Sequence, residues 1–179
     1  AIGHAAQMAE LRVALEAGVR DVFLNWYYNS MSTGWSPAFW RDYFAPQLRE
    51  ACDAVHAAGG LAIYYDDGKC MATLDRMAAA GVDVLQTLTP PPVGDVDLAE
   101  AKRRIGDRVC LMGYTDLIYV LRLGTPELID RTVREAIATA GPHGFILGTS
   151  DSIRDGTPLE NVKAYFAAAR RHGTAATRG

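Results

Sequence analysis

Five short and nearly uninterrupted apolar runs alternate with helix-like segments along this chain of 179 residues. The runs are DVFLN at Asp21–Asn25, LAIYY at Leu61–Tyr65, VDVLQ at Val82–Gln86, RVCLMG at Arg108–Gly113 and GFILG at Gly144–Gly148. Strands that are apolar on successive positions bury both faces, as happens when helices cover a parallel sheet. Several runs follow a helix-like segment that ends in glycine, the usual junction from helix to strand. Two architectures fit: part of a (β/α) barrel, or an open doubly wound sheet. No GxGxxG follows a strand and no GxxxxGK[ST] occurs, so the nucleotide-binding forms of the open sheet are disfavoured. Five units are too few to close an eight-stranded barrel, so the chain reads as part of one.

Helix signals fill the intervals. Met8, Leu11 and Leu15 form an apolar stripe that stops at Gly18. Ser36-Pro37 supplies a cap and a first-turn proline for a helix reaching about Ala58. Further helices are expected over Met71–Ala80 and Asp97–Ile105, after Thr125-Pro126-Glu127, and from Thr157-Pro158 to about Arg171. Residues 1–173 form one domain in this reading, and 174–179 a flexible tail.

Composition excludes several function classes. Net charge is -3 and the basic clusters Lys102-Arg103-Arg104 and Arg170-Arg171 fall in amphipathic helical patterns, so nucleic acid is not an expected partner. No run reaches membrane-spanning length. Cys52, Cys70 and Cys110 form no CxxC pair, and their odd number fits a reducing, cytoplasmic setting; Cys52 and Cys110 are expected to be buried. None of His4, His56, His143 and His172 has a second ligand at zinc spacing, and no GxSxG serine elbow is present.

In a parallel barrel the loops after the strand C-termini converge on one face. Here those positions are rich in polar and aromatic groups: Asn25, Trp26, Tyr27 and Tyr28; Tyr65, Asp66 and Asp67; Gln86; Tyr114 and Asp116; Ser150 and Asp151. The opposite turns are plain glycine turns. Asp66-Asp67-Gly68 fits an Asx turn that Asp66 begins, and it equally fits a carboxylate that binds a cation or handles a proton. Asp151 fits either a cap or a partner for Asp67 across the mouth. Tyr65 ends an apolar strand and fits a part-core position before a catalytic one, with a hydroxyl that can still reach the pocket. Trp26, Tyr27, Tyr28 and Trp35 fit either loop packing or a stacking surface for a flat ligand. The expected site is therefore Asp67, Asp151 and Tyr65 as chemical groups, with Trp26, Tyr27, Tyr28, Gln86, Tyr114 and Asp116 as substrate contacts.

Four stretches carry a family resemblance: VFLNW with WSPAFWRDYFAPQLREACDAVHAAGG, GVDVLQTLTPPPVGDVDLAEAKRRIGDRVCLMG, LGTPELIDRTVREAI, and GFILGTSDSIRDGTPLENVKAYFAAARRHG. Together they resemble the C-terminal half of the uroporphyrinogen decarboxylase superfamily, which holds haem-pathway decarboxylases and corrinoid-linked methyltransferases. The resemblance implies a TIM-barrel (β/α)8 fold of which this chain supplies about strands four to eight. In the metal-dependent methyltransferases the second strand here would end in H-x-C-G; this chain has Tyr65 at the histidine and Asp67 at the first cysteine. The third ligand of that branch, and a histidine of the decarboxylase branch, both fall at Asp151. The decarboxylase tyrosine falls near Tyr27 and Tyr28. IGDRVCLMG resembles the methyltransferase branch more closely.

Three functions follow from the resemblance. The first is corrinoid-linked methyl transfer or O-demethylation, with the corrinoid on a partner protein. The second is decarboxylation of a tetrapyrrole. The third is a non-catalytic partial barrel that needs a complementary chain or dimerises through its open edges. If Asp67 and Asp151 hold a divalent metal, oxygen ligands suit magnesium or another hard cation better than zinc.

Overall fold

The computed structural model describes residues 2–25 and 30–173. The strands are β1 (Asp21–Asn25), β2 (Leu61–Gly68), β3 (Val84–Leu88), β4 (Cys110–Thr115) and β5 (Phe145–Thr149). All neighbours are parallel, in the order β1-β2-β3-β4-β5. Helices separate consecutive strands, so the architecture is α/β and matches a section of a TIM barrel.

Register explains why one face is covered and the other open. Leu24, Tyr64, Leu85, Leu111 and Phe145 pair across all five strands, and the first four are fully or nearly fully buried under the helices. The next row is Tyr65, Gln86, Met112 and Ile146, on the opposite face. Side chains alternate along a strand, and β2 shows it: Ala62, Tyr64 and Asp66 are buried, while Leu61, Ile63, Tyr65 and Asp67 are not. On the open face Phe23, Leu61 and Ile146 are each 46–49% exposed. A closed barrel would bury these side chains in its interior.

The helices form by ordinary local rules. In Pro126–Ala140, Ile129, Val133, Ala136 and Ala140 recur at helical spacing and make its buried stripe. Each fully buried aliphatic of the size of Ile129 or Val133 contributes about 1.5–3 kcal/mol. Thr125 caps that helix by accepting from Leu128 N, and Asp97 caps Leu98–Ile105 by accepting from Glu100 N. Helix Leu159–His172 begins one residue later than Thr157 suggested: Thr157 Oγ1 donates to the Arg154 carbonyl (2.7 Å) and Pro158 holds the cap position. Its Asn161 is buried and donates to the Leu121 and Gly124 carbonyls, both at 2.9 Å.

The segment from Ser36 is helical in three parts: Pro37–Phe39 is α, Trp40–Phe44 is π-wound and Ala45–Ala57 is α again. Trp35 stacks on Phe39 with ring centroids 4.6 Å apart, which settles that aromatic as packing. Cys52 is buried as expected, but Cys110 is only half-buried because it shares the open face with Val84, its register partner. Among the described residues no helix is long and apolar enough to cross a membrane.

Candidate functional site at the strand C-termini

Strand β2 runs three residues further than its apolar run, to Gly68, so Asp66 and Asp67 are strand residues. The Asx-turn reading of Asp66 is thereby corrected. Its two carboxyl oxygens have no hydrogen-bond partner among the described residues, while its carbonyl accepts from Thr87 Oγ1 at 2.7 Å. The cause is the pleat, which turns Asp66 into the helix layer and Asp67 to the open face. Burial pushes the Asp66 carboxyl up to about 7, with Asp67 and Asp95 adding repulsion. The Ser30 hydroxyl opposes this, but its proton is committed to the Asp67 carbonyl.

Asp67 borders a cavity of about 150 Å³ at the strand ends, lined also by Thr89, Val93, Asp116, Leu117, Ile118, Ser150, Asp151 and Arg154. Residues that the sequence places on three different loops thus meet in one place. Burial holds the Asp67 carboxyl above the usual carboxylate range, the negative charge of Asp151 adds to this, and the Arg154 guanidinium opposes it. Arg154 Nη2 donates to Asp151 Oδ2 at 2.5 Å, and the Ser152 amide donates to Asp151 Oδ1 at 2.7 Å. Asp151 caps no helix, since the residues after it are irregular up to Leu159.

Asp116 is buried, and its Oδ1 accepts from the amides of Ile118 (2.8 Å) and Tyr119 (2.5 Å), opening the π-wound segment Leu117–Arg122. Its other oxygen has no partner among the described residues. Ser150 is buried as well; its Oγ accepts from Leu117 N at 3.3 Å. The Ser150 contact ties the mouths of β4 and β5 together.

The remaining expected contacts separate. Tyr65 and Gln86 are register partners on the open sheet face, and the Tyr65 ring lies 5.9 Å from that of Phe23. They stand below the cavity rather than in its wall. Tyr114 turns away to the helix side, where it lines a second cavity of about 340 Å³ with Pro90, Pro91, Tyr119 and residues of Pro126–Ala140. The reason is its backbone: φ is +82°, and Thr87 on the neighbouring strand has φ +64°. Such conformations cost a non-glycine residue about 1–3 kcal/mol and cluster at functional sites. Burial and Asp97 push the Tyr114 phenol up, while the Leu98 backbone opposes them. Trp26, Tyr27 and Tyr28 lie outside the described residues.

Arg154 and Thr89 are site residues that the sequence reading missed. The available signal was the spacing of Asp151 and Arg154, three residues apart in a strand-mouth loop. Among the described residues no three potential metal ligands converge. Two carboxylates, one already paired with a guanidinium, do not by themselves make a divalent-cation site, because hard cations take six or more oxygens.

The family model described as Uroporphyrinogen decarboxylase (URO-D) matches residues 5–172. The chain belongs to the uroporphyrinogen decarboxylase family. A chloroplastic uroporphyrinogen decarboxylase of Zea mays is 30% identical over 146 residues, which is 80% of this chain and 35% of that protein. The Hordeum vulgare uroporphyrinogen decarboxylase is 28% identical over the same share of this chain and 42% of its own. Among solved structures, a methyltransferase from Methanosarcina mazei superposes with a TM-score of 0.77 and 23% identity, covering 94% of this chain and 47% of that one. That likeness shows the fold. The chain therefore spans less than half the length of these uroporphyrinogen decarboxylase family relatives and of the methyltransferase.

Proposed function

We propose that the complete protein is a methyl-transfer enzyme acting on a neutral or cationic methylated small molecule, with a corrinoid on a partner protein as the methyl acceptor. The observation that carries this reading is the charge of the cavity wall. Among the described residues it presents Asp67, Asp116 and Asp151 against Arg154 alone. Arg154 is already paired with Asp151, so a tetrapyrrole bearing many carboxylates finds no unpaired cation on this wall among the described residues, whereas an ether or amine methyl donor needs none.

The chemistry required is modest. The bond between the methyl carbon and its oxygen or nitrogen breaks, the acceptor's electron pair takes the methyl group, and the heteroatom leaves with the bonding pair; from a neutral donor it then takes a proton. Asp67 suits the last task, because burial and the charge of Asp151 make it hold its proton more firmly than an ordinary aspartate does. Tyr65 and Gln86, on the sheet below, would contact the body of the donor. The exposed Phe23, Leu61 and Ile146 would be covered by further βα units, from a longer chain or from a complementary one.

The test is to incubate the complete protein with neutral and cationic methyl donors and a reduced corrinoid, and to follow the demethylated product. Release of carbon dioxide from uroporphyrinogen instead would favour the activity for which its relatives are named.

A further inference from the structure

Resting on the reading above, we propose that Arg154 is a positioning residue that divides the work of the two cavity carboxylates, holding Asp151 as its ion-pair partner and leaving Asp67 as the group that carries the transferable proton.

The geometry supports unequal roles. Arg154 and Asp151 lie in one loop, three residues apart, with Nη2 to Oδ2 at 2.5 Å. The Asp151 side chain is also fixed from its other oxygen by the Ser152 amide, and Thr149 Oγ1 donates to the Asp151 carbonyl at 2.6 Å. That carboxylate is therefore satisfied and oriented before any substrate arrives. Asp67 is different. No side-chain hydrogen bond to it is present among the described residues, and it borders the same cavity. A pair of acids in unlike surroundings is a common way to obtain one acid and one fixed charge at the same pH.

The charges that face Asp67 are Asp151 and Arg154 from the β5 loop, Asp116 from the β4 loop, and Asp66 behind it on its own strand. Asp151 and Arg154 act on it in opposite senses, as the causes of its raised pKa show. Losing Arg154 removes a cation that favours the ionised form, so Asp67 should release its proton at higher pH. Losing the Asp151 charge removes repulsion and frees the guanidinium, so Asp67 should release it at lower pH.

The experiment is a carbon-13 NMR titration of the Asp67 carboxyl in the complete protein, in the wild type and in the variants Arg154→Gln, Arg154→Lys and Asp151→Asn. The expected result is a midpoint shifted upward in Arg154→Gln, downward in Asp151→Asn and near the wild-type value in Arg154→Lys. In any turnover that uses Asp67 as the acid, the alkaline limb of the pH profile should move in the same directions. A loss of folding would move both variants alike toward an ordinary aspartate, and that outcome overturns the proposal. So does an Asp67 midpoint that moves in neither variant. Opposite shifts without methyl transfer would sustain the charge relationship and reject the reading of the reaction.

Discussion

Asp66 and Asp67 are consecutive residues of β2 whose carboxyl groups lie on opposite faces of the sheet, one sealed under the helices and one on a cavity wall. The same strand mouth thus holds a carboxyl with a structural cost and a carboxyl with a chemical use. Alternation makes this separation unavoidable once the strand extends through both residues.

Asp66 sets a pH dependence of stability. Its folded-state pKa of about 7 lies above the usual aspartate value, so the folded state binds the proton more tightly than the unfolded one. Its contribution is fully present below about pH 4 and is lost as pH rises toward 7. Asp66→Asn keeps the shape and removes the charge. Chemical denaturation should find this variant more stable than wild type at pH 8, by a few kcal/mol at the order-of-magnitude level, and nearly equal to it at pH 4. Equal stability at both pH values would contradict the burial argument.

Replacing Asp67 should separate activity from folding. Asp67→Asn removes the proton donor without removing a side-chain hydrogen bond seen among the described residues. Turnover by the complete protein should fall by about 100-fold or more, while the unfolding midpoint stays within the range of an ordinary surface change, about 0.5 kcal/mol. Matched losses of stability and activity would make the residue structural.

Asn161 should be a large determinant of stability for a residue so far from the cavity. Its amide bridges Leu121 and Gly124 to helix Leu159–His172. Asn161→Ala leaves those carbonyls without that donor, at a cost of about 1–3 kcal/mol. Hydrogen exchange should report loosening first at the Ile118 and Tyr119 amides, which belong to the same π-wound segment.

Gly94 tests the packing behind the cavity. A methyl group there would lie 2.1 Å from the Thr89 carbonyl oxygen and 2.4 Å from that of Gly68, both backbone atoms. Gly94→Ala should cost about 1–3 kcal/mol. Gly3→Ala meets nothing within 4 Å and lies in helix Ile2–Glu16, so it should be neutral or stabilising by up to about 1 kcal/mol. Thermal melts of the two variants give the comparison.

The parallel sheet was legible because each strand carries a nearly uninterrupted apolar run, and the helices because Ser36, Asp97 and Thr125 cap them. The meeting of Asp67, Asp116 and Asp151 followed from counting which residues end strands. Three features were hidden. Tyr114 looked like a pocket residue, but a positive φ turns it to the helix side, and nothing local in GYT announces that. The extent of β2 was hidden by its two acids, which composition assigns to a turn; the register shift between Tyr65 and Gly68 lets the strand continue. Arg154 escaped notice because an arginine in a loop has no periodic pattern to mark it.

The most direct test of the account measures both reactions on one preparation of the complete protein. Methylated ethers and amines are supplied with a reduced corrinoid, uroporphyrinogen is supplied separately, and demethylated product and carbon dioxide are quantified. Demethylation that is lost in Asp67→Asn, with no carbon dioxide from uroporphyrinogen, is the predicted result. Carbon dioxide release from uroporphyrinogen, with every methyl donor left intact, would contradict it.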